Sequence, residues 1–261
     1  MTPFGRFAAR WASCQRCLLC QRRGRVVLAR GRVPATVLLV GEAPGESENT
    51  LGEPFCGPAG HLLNSILSKA LPSNPGYCLS NIICCIPKLP LPVVVNAKRG
   101  RYDVRIDRQS DWGNPHIIGR DGDRQQVIDL YRRWLPKQLG LMKRLKDLAG
   151  KRLGCWCKPL ACHGDVIVEE FRRTVGDKLE EPPSWAVEAC KPRLLEFIKL
   201  VNPRLIVRLG KVASRYCPVP KGCEVVDITH PAAILRMDAS QKPLAIQRAI
   251  VVIEDAVAAL G

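Results

Sequence analysis

Several features are missing from this chain of 261 residues, and each absence narrows what it can do. No apolar run approaches the roughly 20 residues needed to cross a bilayer. The N-terminal stretch Met1-Thr-Pro-Phe-Gly-Arg-Phe-Ala-Ala-Arg-Trp11 lacks the long apolar segment of a secretory leader. An intracellular, cytoplasmic protein with no membrane partner is therefore expected. Neither a GxGxxG spacing nor a Gly-Lys-Ser/Thr triplet follows a strand-like run, which excludes the usual glycine-rich cradles for dinucleotides and nucleoside triphosphates. Acidic residues are few, 24 against 40 lysines and arginines, giving +16 and a pI near 9.6. A polyanionic partner is the natural complement of that charge. Cysteine is not scarce: there are 13. In a reducing compartment thiols serve metals more often than disulfides, so their spacing becomes informative.

The chain is organised around Val37-Leu-Leu-Val-Gly-Glu-Ala-Pro-Gly45, continued by Glu46-Ser-Glu-Asn-Thr-Leu-Gly-Glu-Pro-Phe-Cys-Gly-Pro-Ala-Gly60. Four consecutive apolar residues, Val37 to Val40, predict a strand buried on both faces, and Gly41, Pro44 and Gly45 end it in a polar loop. Ala59 to Ala70 then carries Leu62, Leu63, Ile66, Leu67 and Ala70 at helical spacing. Ligands bind where such strands end, so this loop is the first candidate site.

Tyr77-Cys-Leu-Ser-Asn-Ile-Ile-Cys-Cys85 predicts a second buried strand with Asn81 near its end. After an intervening segment the pattern resumes. Ser184 to Val201 predicts a helix, Pro203 to Gly210 a strand followed by a short helix, Glu224 to His230 a strand ending in a histidine, and Leu244 to Leu260 a final amphipathic helix. Strands separated by helices imply right-handed crossovers. The fold expected is a three-layer α/β/α arrangement with a central, mostly parallel four-stranded sheet, interrupted by a small α+β insert. Residues 1–90 and 184–261 form the host, and 91–183 the guest, with linkers at Leu89-Pro-Leu-Pro92 and Glu180-Glu-Pro-Pro183.

Cys14-Gln-Arg-Cys17-Leu-Leu-Cys20 overlaps two CxxC pairs. A CxxC brings two thiolates to one metal centre but supplies only half a site. Taken with Gly41-Glu-Ala-Pro-Gly45, Gly52-Glu-Pro-Phe-Cys-Gly-Pro-Ala-Gly60, Asn81-Ile-Ile-Cys-Cys85 and His230-Pro-Ala-Ala-Ile-Leu-Arg236, these cysteines resemble the family 4, iron-sulfur, uracil-DNA glycosylases over roughly residues 10–88 and 184–260.

The resemblance implies a four-iron four-sulfur cluster on Cys14, Cys17, Cys85 and Cys190, with Cys20 and Cys84 as alternatives for one ligand each. It implies a monomeric hydrolase that flips uracil from single- or double-stranded DNA and leaves an abasic site. Gly41, Ala43, Phe55 and Asn81 would bind the base, Phe55 by stacking and Asn81 by reading the uracil edge. His230 would donate a hydrogen bond to the departing base, while Glu42 or Glu48 would orient the attacking water. Leu235 and Arg236 would touch DNA.

Ala43 stands where the best-known uracil glycosylases carry an aspartate, so the carboxylate must come from elsewhere. Cys56 replaces a usual valine, and Ile86-Pro-Lys88 the usual Arg-Pro-Pro. The Lys-Arg-Arg-Ile-His loop of a related branch that traps DNA covalently is absent, so hydrolytic turnover is expected. Excision of a modified base and a non-catalytic iron-sulfur DNA-binding protein are the alternatives.

The guest, roughly 95–175, is similar to a small uncharacterised domain of phage and bacterial proteins through Trp112-Gly-Asn-Pro115, Ile118-Gly-Arg-Asp-Gly122 and Gly154-Cys-Trp-Cys-Lys-Pro-Leu-Ala-Cys-His-Gly-Asp165. Cys155, Cys157, Cys162 and His163 are of ligand type and define a second candidate, zinc-binding or catalytic, although their spacing is not a standard zinc pattern. A basic helical stretch with Arg132, Arg133, Lys137, Lys143, Arg144 and Lys146 is a candidate for phosphate contacts.

Overall fold

The computed structural model describes residues 1–72, 76–175 and 181–261. The chain divides into two compact units, Met1–Pro87 with Glu180–Gly261, and Lys88–Leu179. The linker expected at 180–183 begins outside the described residues.

The first unit opens with α1 (Pro3–Trp11), capped by Thr2, whose hydroxyl accepts from the Gly5 N–H at 3.0 Å. Next come β1 (Ala29–Gly31), β2 (Val37–Gly41), α2 (Glu46–Leu51), α3 (Pro58–Ala70) and β3 (Tyr77–Asn81). The second unit follows with β4 (Val93–Asn96), β5 (Val104–Arg105), α4 (Arg124–Trp134), α5 (Leu139–Arg144), β6 (Arg152–Cys155) and α6 (His163–Thr174). The chain then returns to the first unit through α7 (Ser184–Val201), β7 (Leu205–Leu209), α8 (Gly210–Tyr216), β8 (Glu224–Ile228), α9 (Pro231–Arg236) and α10 (Lys242–Ala258).

In the first unit the sheet order is β1-β3-β2-β7-β8. The four expected strands are parallel, and β1 joins antiparallel to β3 as a fifth, edge strand. Alternation along β2 shows how the layers form. Leu38 and Val40 enter one apolar cluster with Phe7, Leu194, Phe197 and Val212, while Val37 and Leu39 enter another with Leu63, Ile66, Leu67, Ile250 and Ile253. Each face of the sheet is therefore covered by helices, which is why Val37–Val40 reads as a continuous apolar run. All four are 0% exposed, and burial of each such side chain contributes roughly 1.5–3 kcal/mol.

Two details depart from the periodicity. The polar loop contains the short helix α2, and β3 stops at Asn81 rather than running to Cys85. Beyond Asn81 the N–H groups of Ile82 and Ile83 still bond to the carbonyls of Gly41 and Glu42, at 2.9 and 3.2 Å. The carbonyls of Asn81 and Ile82 turn instead to the Arg193 guanidinium, at 2.5 and 2.9 Å, and that diversion ends the ladder.

In the second unit β4, β6 and β5 lie in that order and pair in parallel. Strand β5 has only two residues, Val104–Arg105, and the basic helical stretch breaks into a 3-10 turn at Leu135–Lys137, as Pro136 requires. Trp112, Tyr131, Leu145, Leu153 and Phe171 fill its core, and the Tyr131 hydroxyl donates to the Trp112 carbonyl at 2.7 Å. Among the described residues no helix is long and apolar enough to cross a membrane.

Candidate functional site

Parallel strands deliver their carboxyl ends to one edge of the sheet. Register pairs Gly41 with Asn81, Val40 with Arg208 and Leu209 with Ile228, so Asn81, Gly41, Gly210 and the turn before His230 follow one another along that edge. With strands about 4.8 Å apart, β8 ends about 10 Å from β2.

The contacts at Gly41 define the centre. A Cβ built there would lie 2.5 Å from Asn81 Oδ1 and 2.5 Å from Phe55 Cζ, so only glycine lets the amide and the ring approach the backbone together. Phe55 is held there in a left-handed conformation, φ 55°, which a bulky residue adopts only when its surroundings impose it. Gly60 helps impose it: a Cβ at that position would sit 1.8 Å from the Phe55 carbonyl oxygen. Asn81 is 2% exposed, yet among the described residues its side-chain amide makes no hydrogen bond. The amide lies beside an aromatic ring at a strand end. Ala43 is half-buried on the cluster containing Leu38 and Val40.

The two glutamates differ sharply. Glu48 is buried, and its carboxylate accepts from the Gly45 N–H at 3.0 Å and the Gly57 N–H at 2.9 Å. It thus braces both ends of the loop that carries Phe55. The bond takes up the Gly45 amide, and Pro44 has no N–H, so neither is free to donate to a ligand. Glu42 sits on the loop directly after Gly41, its backbone carbonyl bonded to Ile83.

His230 caps α9, its Nδ1 accepting from the Ala232 N–H at 3.1 Å, which leaves the ring proton on Nε2. Burial, with Arg236 at the other end of α9, pushes its pKa down to about 4, so the ring is neutral. Gly210, at φ 82°, lies against it, a Cβ there falling 2.8 Å from His230 Cβ. Leu235 is 40% exposed at the end of α9, next to Arg236.

Cys84, Cys85 and Cys190 lie within one apolar cluster, and Cys14 and Cys17 pack against it. The Cys84 and Cys190 sulfurs are 3.6 Å apart, and Arg23 donates to the Cys85 sulfur at 3.5 Å. Contact with Cys84 and the nearby Arg23 hold the Cys85 thiol below its ordinary range, while burial raises that of Cys17. Cys17 has Cys190, Cys14 and Cys20 as its electrostatic neighbours. The sequence-distant CxxC, the Asn81 strand and α7 thus bring their cysteines to one place, a donor set of thiols alone.

Arg193 escapes motif reading. It is 0% exposed, donates to Ser80 Oγ at 2.9 Å as well as to the two carbonyls after β3, and so anchors the backbone that presents Asn81. Its signal is periodic: Ala186, Val187, Cys190, Leu194 and Phe197 form the buried stripe of α7, and Arg193 lies within it.

In the second unit Cys155, Cys162 and His163 are buried with their ligand atoms all within 4.8 Å of one another. Cys157 lines the same cavity. Of the basic residues on the helical stretch, Arg132 pairs with Asp129 and Glu169, and Arg144 with Asp111 at 2.8 Å, so these two face carboxylates within their own unit.

Comparison with known proteins follows the same division. Residues 95–173 match a family model described as a domain of unknown function, DUF4326. An uncharacterised 12.4 kDa protein of Enterobacteria phage T4, from the nrdA-td intergenic region, is 36% identical over 92 residues, covering 33% of this chain and 83% of the phage protein. The chain belongs to the family of this phage protein. It is also similar to the type-4 uracil-DNA glycosylase of Archaeoglobus fulgidus, 36% identical over 109 residues, 41% of this chain and 53% of that one. The type-4 uracil-DNA glycosylase of Saccharolobus solfataricus is 37% identical over 75 residues, 28% of this chain and 35% of its own. The chain spans about a third to a half of the length of these two glycosylases.

Proposed function

We propose that the first unit is a DNA glycosylase that hydrolyses the bond between uracil and deoxyribose and leaves an abasic site. The observation that carries the reading is the placement of the Asn81 amide beside the Phe55 ring, at the strand end where Gly41 lets both approach. An amide there can donate to one uracil carbonyl and accept from the ring N–H, a pattern cytosine does not offer. A flipped base stacks on the Phe55 ring. As the bond breaks, negative charge gathers on the base oxygen beside it, and the Nε2–H of neutral His230 stabilises that charge without transferring its proton. The Glu42 carboxylate orients the water that attacks the sugar, and Glu48 holds the loop in place. Leu235 and Arg236 meet the DNA at the end of α9.

The cysteines Cys14, Cys17, Cys85 and Cys190 fit an iron-sulfur cluster, since thiols from three separated segments converge there. Its contribution is structural: it ties the basic N-terminal arm to the end of β3 and to α7.

The test is release of uracil from an oligonucleotide, read by alkaline cleavage and by mass spectrometry of the freed base. Wild-type protein is expected to cleave, with Glu42→Gln, Asn81→Ala and His230→Ala each reduced by about 10²-fold or more. Release of a modified base in place of uracil would redirect the assignment, and binding without release, unchanged by the three substitutions, would overturn it.

A further inference from the structure

We propose that the second unit carries its own zinc ion, held by Cys155, Cys157, Cys162 and His163, independent of the thiols in the first unit. Cys155 ends β6, and Cys162 and His163 open α6, so a strand end and a helix start supply three buried ligand atoms within 4.8 Å of one another. Cys157 lies outside that set of three but lines the same cavity, and so supplies a third sulfur beside it. Three sulfurs and one imidazole match the tetrahedral preference of zinc.

The histidine supplies the strongest geometric argument. His163 Nε2 lies 2.6 Å from the carbonyl oxygen of Ile106. A carbonyl only accepts, so Nε2 carries the proton and Nδ1 keeps its lone pair. A ligating histidine is oriented and tuned in this way, its other N–H bonded to a backbone carbonyl. Packing fixes the ring further: Tyr131 stands edge-on to it with centroids 5.1 Å apart, and Gly164 lets Ile106 and Val94 close in behind.

An ion also needs a way in. A cavity of about 270 Å³ opens on the cluster, lined by Cys155, Cys157, Cys162 and His163 together with Arg124 and Trp156. Cys157, half-buried and on the lining of this cavity, would close the tetrahedron once an ion has entered. The ion would join Cys155 at the end of β6 to Cys162 and His163 at the start of α6, and so staple the two elements across the intervening turn.

Metal content of the purified full chain decides the matter. Elemental analysis is expected to find about one zinc per chain, whatever iron is present. Cys162→Ala and His163→Ala should lose the zinc while leaving iron content and the visible absorbance of an iron-sulfur cluster unchanged. Cys14→Ala and Cys190→Ala should do the reverse. Should a ligand variant fail to fold, cobalt added to metal-stripped wild-type protein provides the second reading, through thiolate-to-cobalt charge-transfer bands that Cys157→Ser weakens. Folded wild-type protein with no stoichiometric zinc and no such bands would overturn the assignment, as would zinc retained in His163→Ala.

Discussion

At the scale of single residues, a histidine that stays neutral acts as a hydrogen-bond donor rather than an acid. His230 is lowered from 6.5 to about 4 by burial and the Arg236 charge, so between about pH 6 and 8 its protonation is constant. Base release should therefore show no limb in the ordinary histidine range. Stability should respond differently. In the unfolded chain this ring takes up a proton near pH 6.5, whereas the folded protein resists it until about 4, so the stabilisation is present above 6.5 and is lost as pH falls through that window. It amounts to at most about 3 kcal/mol. Urea midpoints measured across this window should fall less in His230→Gln than in wild type; equal slopes would refute the buried neutral ring. The two glutamates separate by the same logic. Glu48→Gln removes one of two acceptors for the Gly45 and Gly57 amides and should cost about 1.5–3 kcal/mol of stability. Glu42→Gln should lower kcat.

At the scale of elements, helix α7 is coupled to the substrate edge through one guanidinium. Removing Arg193 leaves Ser80 Oγ and the Asn81 and Ile82 carbonyls without their donor in a site closed to water. Arg193→Met should destabilise the protein by about 3 kcal/mol or more in chemical denaturation, and Arg193→Lys should rescue only part, since the three bonds come from two guanidinium nitrogens and a lysine has one. A neutral Arg193→Met would mean that the strand end is held by its ladder alone. What could be read beforehand divides along the same physical line. Strands Val37–Gly41 and Leu205–Leu209 and helices α3, α7 and α10 were legible because apolar side chains repeat at the period of the element that buries them. The three-residue β1, Ala-Arg-Gly, has no such pattern, and its place beside β3 is set by tertiary pairing. Helix α2 was hidden because Glu48 is its only buried residue, and that burial depends on two amides supplied by the loop. Gly41 and Asn81 could be singled out as strand-end residues and Phe55 as part of the loop that follows, but that Glu48 is taken up by the Gly45 and Gly57 amides required the loop's hydrogen bonds.

For the whole molecule the decisive quantity is charge. A net +16 draws the chain toward any polyanion, whatever its sequence or chemistry, so affinity for DNA alone distinguishes little. Salt separates the two contributions. If about six phosphates are contacted, affinity for a uracil-containing oligonucleotide should fall on the order of 10³-fold between about 50 and 200 mM salt, because each contact releases counterions that added salt opposes. The groups proposed to surround the base respond otherwise: Phe55 and Asn81 are uncharged and buried, and His230 is neutral, so little of their action passes through mobile ions. Single-turnover rates at saturating protein should therefore hold nearly constant while half-saturation climbs steeply with salt. A rate that collapses in parallel with affinity would place the chemistry on exposed, screened charges and would contradict a site built from a buried amide, a ring and a neutral imidazole.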